Sequence, residues 1–297
     1  ARACSLFVRL PLVPQCCLLL LLFRHHQSIM RRMICAILRA SPAIRDNGVL
    51  FRRLIAVAIV AGLIGGLALS LAQRWQVIPI IVQAEKFESL KINAAGEAQA
   101  ADIEHDGHDH SHDQDWAPSD GVERTLFTIL SNVLTAIGFA LVLVALIAAA
   151  SLKFGKTPKI TAISGGMWGL GGFITFFVAP SFGISPELPG VSGAALELRQ
   201  WWWMATVICS GAGLYLAYVL SSPWKWVGLA IILCAPHIYG APHAENLYEG
   251  LPIAIADQLS ELSKEFLLAT GLSSLILWLV LGGFSTWAVR RYIQSES

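Results

Sequence analysis

The stretch LIAVAIVAGLIGGLALSLAQ, residues 54–73, contains no charged side chain and is about as long as a helix that crosses a bilayer. Its segment GLIGGLALS is rich in the small residues that let two helices approach each other closely inside a membrane. We therefore predict a membrane-spanning helix that packs against its neighbours through glycine.

The composition of the whole chain agrees with this prediction. Of its 297 residues, 55% are hydrophobic and 14% are charged, whereas soluble domains carry about 25% charged residues. The mean hydropathy is +0.61. A formal net charge of +1 gives no reason to expect a nucleic-acid partner. None of the 6 cysteines forms a CxxC pattern, so we predict neither a disulfide framework nor a cysteine metal site.

Further apolar segments predict an all-α, polytopic membrane helix bundle embedded in a lipid bilayer. The fifth segment is short and ends near Pro236, so five spans with one interfacial or re-entrant segment are the alternative to six. The six predicted spans cover residues 54–73, 125–152, 160–182, 201–220, 226–239 and 266–289.

The distribution of charge favours six spans. Basic residues in short connections stay in the cytoplasm, and with six spans one side collects Arg52, Arg53, Lys153, Lys156, Lys159, Lys225, Arg290 and Arg291. Five spans would place Arg290 and Arg291 outside. We therefore expect both termini to be cytoplasmic, and connections 74–124, 183–200 and 240–264 to lie on the outer side.

One of these outer connections carries a strip of metal-binding residues, IEHDGHDHSHDQDW, residues 103–116. Imidazole and carboxylate together suit Zn, Ni, Co or Cu better than Ca or Mg. Imidazole binds metal when neutral, and its ordinary pKa of about 6.5 allows this at neutral pH. We expect residues 85–121 to be a flexible His/Asp-rich outer loop; a solvated acidic loop is the alternative. The predicted ligands are His105, Asp106, His108, Asp109, His110, His112 and Asp113.

Other polar residues are candidates for a route through the bundle. His237 follows Pro236 at the outer end of the fifth span, and His243 lies six residues later. Both are predicted metal ligands that relay an ion inward; the alternative is a helix-capping role at the interface. Glu187 in SPELPG is predicted to be a solvated charge. Asn132 in the second span either lines a path or bonds to another helix.

Several function classes lack their signals. No Asp, Glu, Lys, Arg or His lies near the middle of a predicted span, although a proton-coupled carrier usually has one. There is no phosphate-binding GK[ST] loop and no nucleophile–base pattern. We therefore expect the chain not to be an enzyme, and transport through it to be passive or driven by the membrane potential.

Residues 1–49 differ from the rest of the chain, because they are basic and lack a periodic pattern. We interpret them as a non-native upstream extension or a disordered segment; the core of a signal peptide is the alternative. Residues 50–293 form the predicted transmembrane transporter domain.

The order of motifs from residue 51 onward resembles the CbtA family of predicted cobalt transporter subunits of the bacterial inner membrane. The distinctive motifs are WAPSDGVERT at 116–125, PELPG at 186–190 and PHIYGAP at 236–242. The resemblance implies cobalt as the transported ion, a link to cobalamin supply, and a small single-span partner of the CbtB type. The family is often described with five spans, whereas charge favours six here.

The predicted function is therefore that of a membrane transporter subunit for a divalent transition metal, with cobalt favoured and a periplasmic His-rich loop as the capture site. The alternatives are a nickel or zinc permease and a non-transport metal-binding scaffold or sensor. Known nickel/cobalt permeases carry a histidine–aspartate signature inside a helix, which is absent here. A homo-oligomer is left open.

Overall fold

The computed structural model describes residues 48–87, 118–153, 162–244, 247–248 and 252–292. The chain divides into two compact units, Ala1–Arg52 and Arg53–Ser297. Of the first unit, only residues 48–52, at the start of the first helix, are described. The extension predicted at residues 1–49 therefore lies almost wholly outside the described residues, and the histidine strip at 103–113 lies wholly outside them.

Within the described ranges the secondary structure is entirely helical, as predicted. A short helical segment, residues 78–87, follows the first helix. The numbered helices are α1 (Gly48–Gln76), α2 (Val122–Lys153), α3 (Ala162–Phe173), a π-helix (Ile174–Val178), α4 (Ala179–Ser181), α5 (Leu196–Val219), α6 (Lys225–Tyr239) and α7 (Ile253–Tyr292).

Four helices in the described part of the chain are long and apolar enough to cross a membrane: α1, α2, α5 and α7. They correspond to the first, second, fourth and sixth predicted spans. The third is a continuous helical run over 162–181, interrupted by the π-helix. The fifth is α6, whose 15 residues measure about 22 Å at the usual helical rise, short of a hydrocarbon core of about 30 Å. Six spans therefore remain a prediction.

Several pairs of packed helices in the second unit run antiparallel. A Cβ atom built at Gly62 or Gly66 of α1 would meet Ile137 or Val133 of α2, respectively, so rising numbers on one helix face falling numbers on the other. The same relation holds between α1 and α7, between α3 and α7, between α3 and α5, and between α5 and α6. The basic residues Arg53, Lys225, Arg290 and Arg291 consequently lie at one end of the bundle. We refer to the opposite end as the acidic end.

Glycines allow two helix backbones to approach closely at the α3–α7 contact. A Cβ atom built at Gly282 would lie 2.4 Å from the carbonyl oxygen of Gly165, and one at Gly169 would lie 2.5 Å from that of Trp278. Real Cβ atoms do not approach backbone atoms so closely. The glycine-rich third predicted span thus packs closely against α7.

Aromatic rings fill the interior beside this contact. Phe176 stacks on Trp278 with ring centroids 5.1 Å apart, and Phe139 lies 4.7 Å and 5.0 Å from these two rings, respectively. Trp203 of α5 lies 6.1 Å from Phe176. We call these four residues the aromatic cluster; it fills the space between α2, α3, α5 and α7.

Helix α7 is longer than its predicted span. Its 40 residues measure about 60 Å, roughly twice the thickness of the hydrocarbon core. Residues 253–264 and 78–87, predicted to belong to connections, are helical. They are held by a second core at the acidic end, in which Ala84, Leu188, Leu262 and Phe266 are buried. Burial of these apolar faces stabilises both helical segments.

Candidate functional site

His237 is the predicted metal ligand whose surroundings the structure describes best. It lies in the last turn of α6 and is half-buried. The imidazole meets the ring of Trp202 edge-on at 5.5 Å and that of Phe182 at 6.5 Å. The buried indole of Trp202 donates a hydrogen bond of 3.0 Å to the carbonyl oxygen of Pro236. The position of His237 is therefore set by aromatic packing at the acidic end.

His243 is exposed, beyond Gly240, where α6 ends. No three His, Cys, Asp or Glu side chains in the described ranges lie together as a metal-binding group. The structure thus does not join His237 and His243 into a metal centre with other ligands from these ranges. The remaining predicted ligands, His105, Asp106, His108, Asp109, His110, His112 and Asp113, lie outside those ranges.

A pocket of about 270 Å³ opens at the acidic end, between the π-helix, the turn at 184–187 and α5. Its walls are mainly apolar and aromatic, and they include two members of the aromatic cluster. The lining residues are Phe176, Phe177, Pro180, Ser181, Ile184, Ser185, Pro186, Glu187, Arg199 and Trp203. We call this cavity the outer pocket.

One ion pair, between Arg199 and Glu187, lies in the wall of the outer pocket. The two side chains are 26% and 28% exposed, so Glu187 is held by a guanidinium and is not the freely solvated charge that its sequence suggested. A Cβ atom at Gly193 would lie 2.7 Å from a Glu187 carboxylate oxygen and 2.9 Å from Arg199 Nη1. The backbone at Gly193 therefore covers the pair, and a side chain there would disturb it.

Arg199 was not among the candidate residues predicted from the sequence. It is the only basic residue in the connection 183–200, which also holds Glu187 and Glu197. A lone cation that follows two acids at the start of a predicted span was the available signal. Its partner could not be chosen from the sequence, because the choice depends on how the turn folds back onto α5.

The π-helix forms the floor of the outer pocket. The N–H of Ala179 bonds to the carbonyl of Ile174, five residues earlier. Pro180 follows directly and has no N–H to donate, so it disrupts the regular α-helical ladder at this point. Single π-turns of this kind are frequent at functional sites. The irregular turn places Phe176 and Phe177 at the pocket.

A second cluster of charges connects the two segments that border the undescribed range 88–117. Arg124 in the first turn of α2 pairs with Glu85 of the 78–87 helix and with Asp120, the latter at 3.2 Å. Glu85 and Arg124 are separated by 39 positions in the chain. The pair therefore holds together the two ends of the connection that carries the histidine strip.

Asn132 connects α2 to α1. Its side-chain amide donates to Ser70 Oγ at 3.0 Å and to Gln73 Oε1 at 2.6 Å. Of the two roles left open by the sequence, helix–helix hydrogen bonding is therefore the one observed. Such bonds stabilise helix pairs inside membranes because lipid offers no alternative partner.

Replacing Asn132 with Leu is expected to lower the free energy of unfolding by about 1 kcal/mol, because both interhelical hydrogen bonds are lost. Thr128→Val is the matched control, since the Thr128 hydroxyl donates to the carbonyl oxygen of Arg124 within its own helix; it should change stability by less than about 0.5 kcal/mol. Thermal unfolding in detergent measures both. Equal losses for the two variants would contradict the proposed role.

A family model described as "Probable cobalt transporter subunit (CbtA)" matches residues 51–290. No curated protein and no solved structure matches the chain. The match covers α2 to α6 in full and nearly all of α1 and α7, and it includes the outer pocket, His237 and the range that carries the histidine strip.

Proposed function

Because the chain belongs to the CbtA family of probable cobalt transporter subunits, we propose that it carries cobalt inward across the bacterial inner membrane, as one subunit of a transporter that supplies cobalamin synthesis. The observation that carries this proposal is the family match over nearly all of the chain after residue 50. The family is one of transporter subunits, a class that does not imply catalysis.

Capture of the ion is assigned to the histidine strip. Its four imidazoles and neighbouring carboxylates form a chemically suitable donor set for a divalent transition metal. Its acidic residues also attract cations electrostatically and so speed encounter. This proposal places the strip in the periplasm and both termini in the cytoplasm, with the basic end of the bundle inside.

Passage from the strip to the bundle is assigned to His237 and His243. Both belong to the acidic end of the second unit, where α6 ends and the connection to α7 begins. His237 offers a half-buried imidazole, and His243 an exposed one, so the two suit transient binding better than tight binding. Without a third ligand, an ion would not be held there strongly.

A subunit implies a partner, and the partner proposed is a small single-span protein of the CbtB type. Reconstitution of the purified chain in liposomes, with and without this partner, tests transport directly through uptake of radiolabelled cobalt. Uptake above that of protein-free liposomes supports the proposal. Tight cobalt binding without uptake in either preparation would instead identify a metal-binding scaffold or sensor.

A membrane potential that is negative inside is expected to accelerate this uptake, whereas a pH gradient alone is not. A doubly charged ion gains about 4.6 kcal/mol across 100 mV, at about 2.3 kcal/mol per charge. In the described helices no Asp, Glu, Lys, Arg or His lies at mid-span to couple proton flow. Potassium diffusion potentials and imposed pH steps separate the two forces. Uptake that requires the pH step and ignores the potential would refute this energy source.

A further inference from the structure

The size and the walls of the outer pocket suit a small organic molecule better than a bare ion. Sites for small ligands are mostly apolar clefts of about 300–1,000 Å³ with a few polar groups, and this pocket, at about 270 Å³, lies just below that range. Phe176, Phe177 and Trp203 supply flat apolar surface, and Ser181 and Ser185 supply hydroxyl groups. A direct metal site would need several converging ligands.

The wall of the outer pocket carries one positive charge, on Arg199, and one negative charge, on Glu187. A free divalent cation that approached Glu187 would be repelled by Arg199, and a free anion that approached Arg199 would be repelled by Glu187. A metal ion bound to a carboxylate presents both signs side by side. In such a complex the metal can lie towards Glu187, and the carboxylate oxygens towards the guanidinium, which favours carboxylates through paired hydrogen bonds.

The guanidinium of Arg199 also has one hydrogen-bond donor that is not used in the described part of the chain. Its Nε atom is shielded from water and has no hydrogen-bond partner within the ranges that the structure describes. A buried donor without an acceptor costs free energy, so such groups in native proteins call for an explanation. A carboxylate bound by the same guanidinium would supply the missing acceptor after a small rotation of the side chain.

We propose that the outer pocket binds the metal as its complex with a small carboxylate chelator, with Arg199 contacting the carboxylate and Glu187 facing the metal. This inference rests on the proposed function, since it concerns the form in which the transported ion arrives. The complex docks at the pocket, and the ion itself crosses the membrane. Because the pair of charges sums to zero, a complex of low net charge is preferred over a strongly anionic one.

The test uses the full chain in liposomes with cobalt buffered by histidine, so that free cobalt stays constant while the cobalt–histidine complex increases. The rate of uptake is expected to rise with the complex and then saturate. Cobalt buffered by citrate, whose complex is more anionic, should support at least fivefold slower uptake at the same free cobalt. A rate that follows free cobalt alone, whatever the chelator, overturns the inference and leaves the proposed function standing.

Variants then separate binding from a structural role of the ion pair. Arg199→Gln should lower uptake from the histidine complex about tenfold and change uptake of cobalt supplied without chelator by less than twofold. Glu261→Gln, which removes an exposed ion pair with Lys264 on α7, is the matched control and should change neither. If Arg199→Gln lowered uptake equally from the histidine complex and from cobalt without chelator, Arg199 would have a purely structural role and the inference would be overturned.

Equilibrium dialysis of the cobalt–histidine complex against the purified protein makes the test independent of transport. Wild-type protein should bind the complex, and Arg199→Gln should bind it about tenfold more weakly. Binding of the complex without uptake of cobalt would contradict the proposed function and still support the outer pocket as a site for the complex. Uptake of cobalt with no binding of the complex would overturn the inference about the pocket and leave the proposed function standing.

Discussion

Cobalt uptake at limiting cobalt is expected to fall about 100-fold when His105, His108, His110 and His112 are all replaced with serine. The loss follows because imidazole nitrogen binds cobalt more strongly than the carboxylate oxygens that would remain, and because a tethered ligand set raises the local concentration of metal by factors of this order. Initial rates of radiolabelled cobalt uptake, measured over a wide range of cobalt concentrations, provide the measurement.

The shape of the saturation curve decides what the strip does. A capture role predicts a higher half-saturation concentration with most of the maximal rate retained, since the bundle is unchanged. Replacement of Asp106, Asp109 and Asp113 with Asn is the matched control; it keeps the imidazoles, removes negative charge, and should lower uptake severalfold at most. An equal loss at saturating cobalt would show that the strip belongs to the pathway, and unchanged uptake at limiting cobalt would exclude capture.

Gly282→Ala is expected to prevent stable folding of the bundle, or to lower its free energy of unfolding by about 3 kcal/mol, the upper end of the usual cost of overpacking. The new methyl group would lie 2.4 Å from the carbonyl oxygen of Gly165 and 2.5 Å from the amide nitrogen of Gly169. Both are backbone atoms, so the contact cannot be relieved by a change of rotamer. The whole α3–α7 interface would have to separate.

The neighbouring residue provides the control. A Cβ atom at Gly283 would meet nothing within 4 Å, so Gly283→Ala should leave stability unchanged or raise it by up to about 1 kcal/mol through helix propensity. Thermal unfolding and size-exclusion profiles in detergent compare the two variants. Similar melting temperatures for both would show that the α3–α7 contact is looser than the structure describes.

Long apolar segments made the helical fold predictable, and α1, α2, α5 and α7 lie where hydropathy placed them. The first third of α7 was not predicted as helix, because its acidic residues Asp257, Glu261 and Glu265 are typical of a connection between spans. Its helical state depends on contacts of Leu262 and Phe266 with distant residues. The π-helix was also missed, since hydrophobic periodicity does not reveal a single bulged turn.

The candidate site was predictable only in part. The histidine strip is visible because its ligands are adjacent in sequence, and Asn132 was recognised as an amide inside an apolar helix. The pairing of Glu187 with Arg199 joins two residues 12 positions apart, across a turn whose path depends on Gly193 and Leu188. A pocket made by such long-range folding has no signature in local sequence.

The ion pair between Glu85 and Arg124 brings together the two ends of the connection that carries the histidine strip, and the length of the chain limits how far the strip can lie from them. His112 is only six residues from Pro118, the first described residue after the gap, so it lies within about 20 Å of Pro118 in any conformation of the chain. A donor confined to so small a volume acts at an effective concentration in the millimolar range or above. In the proposed function, transfer of an ion from His112 to a group near Pro118 would therefore be an intramolecular step, whose rate does not depend on how dilute the metal is outside.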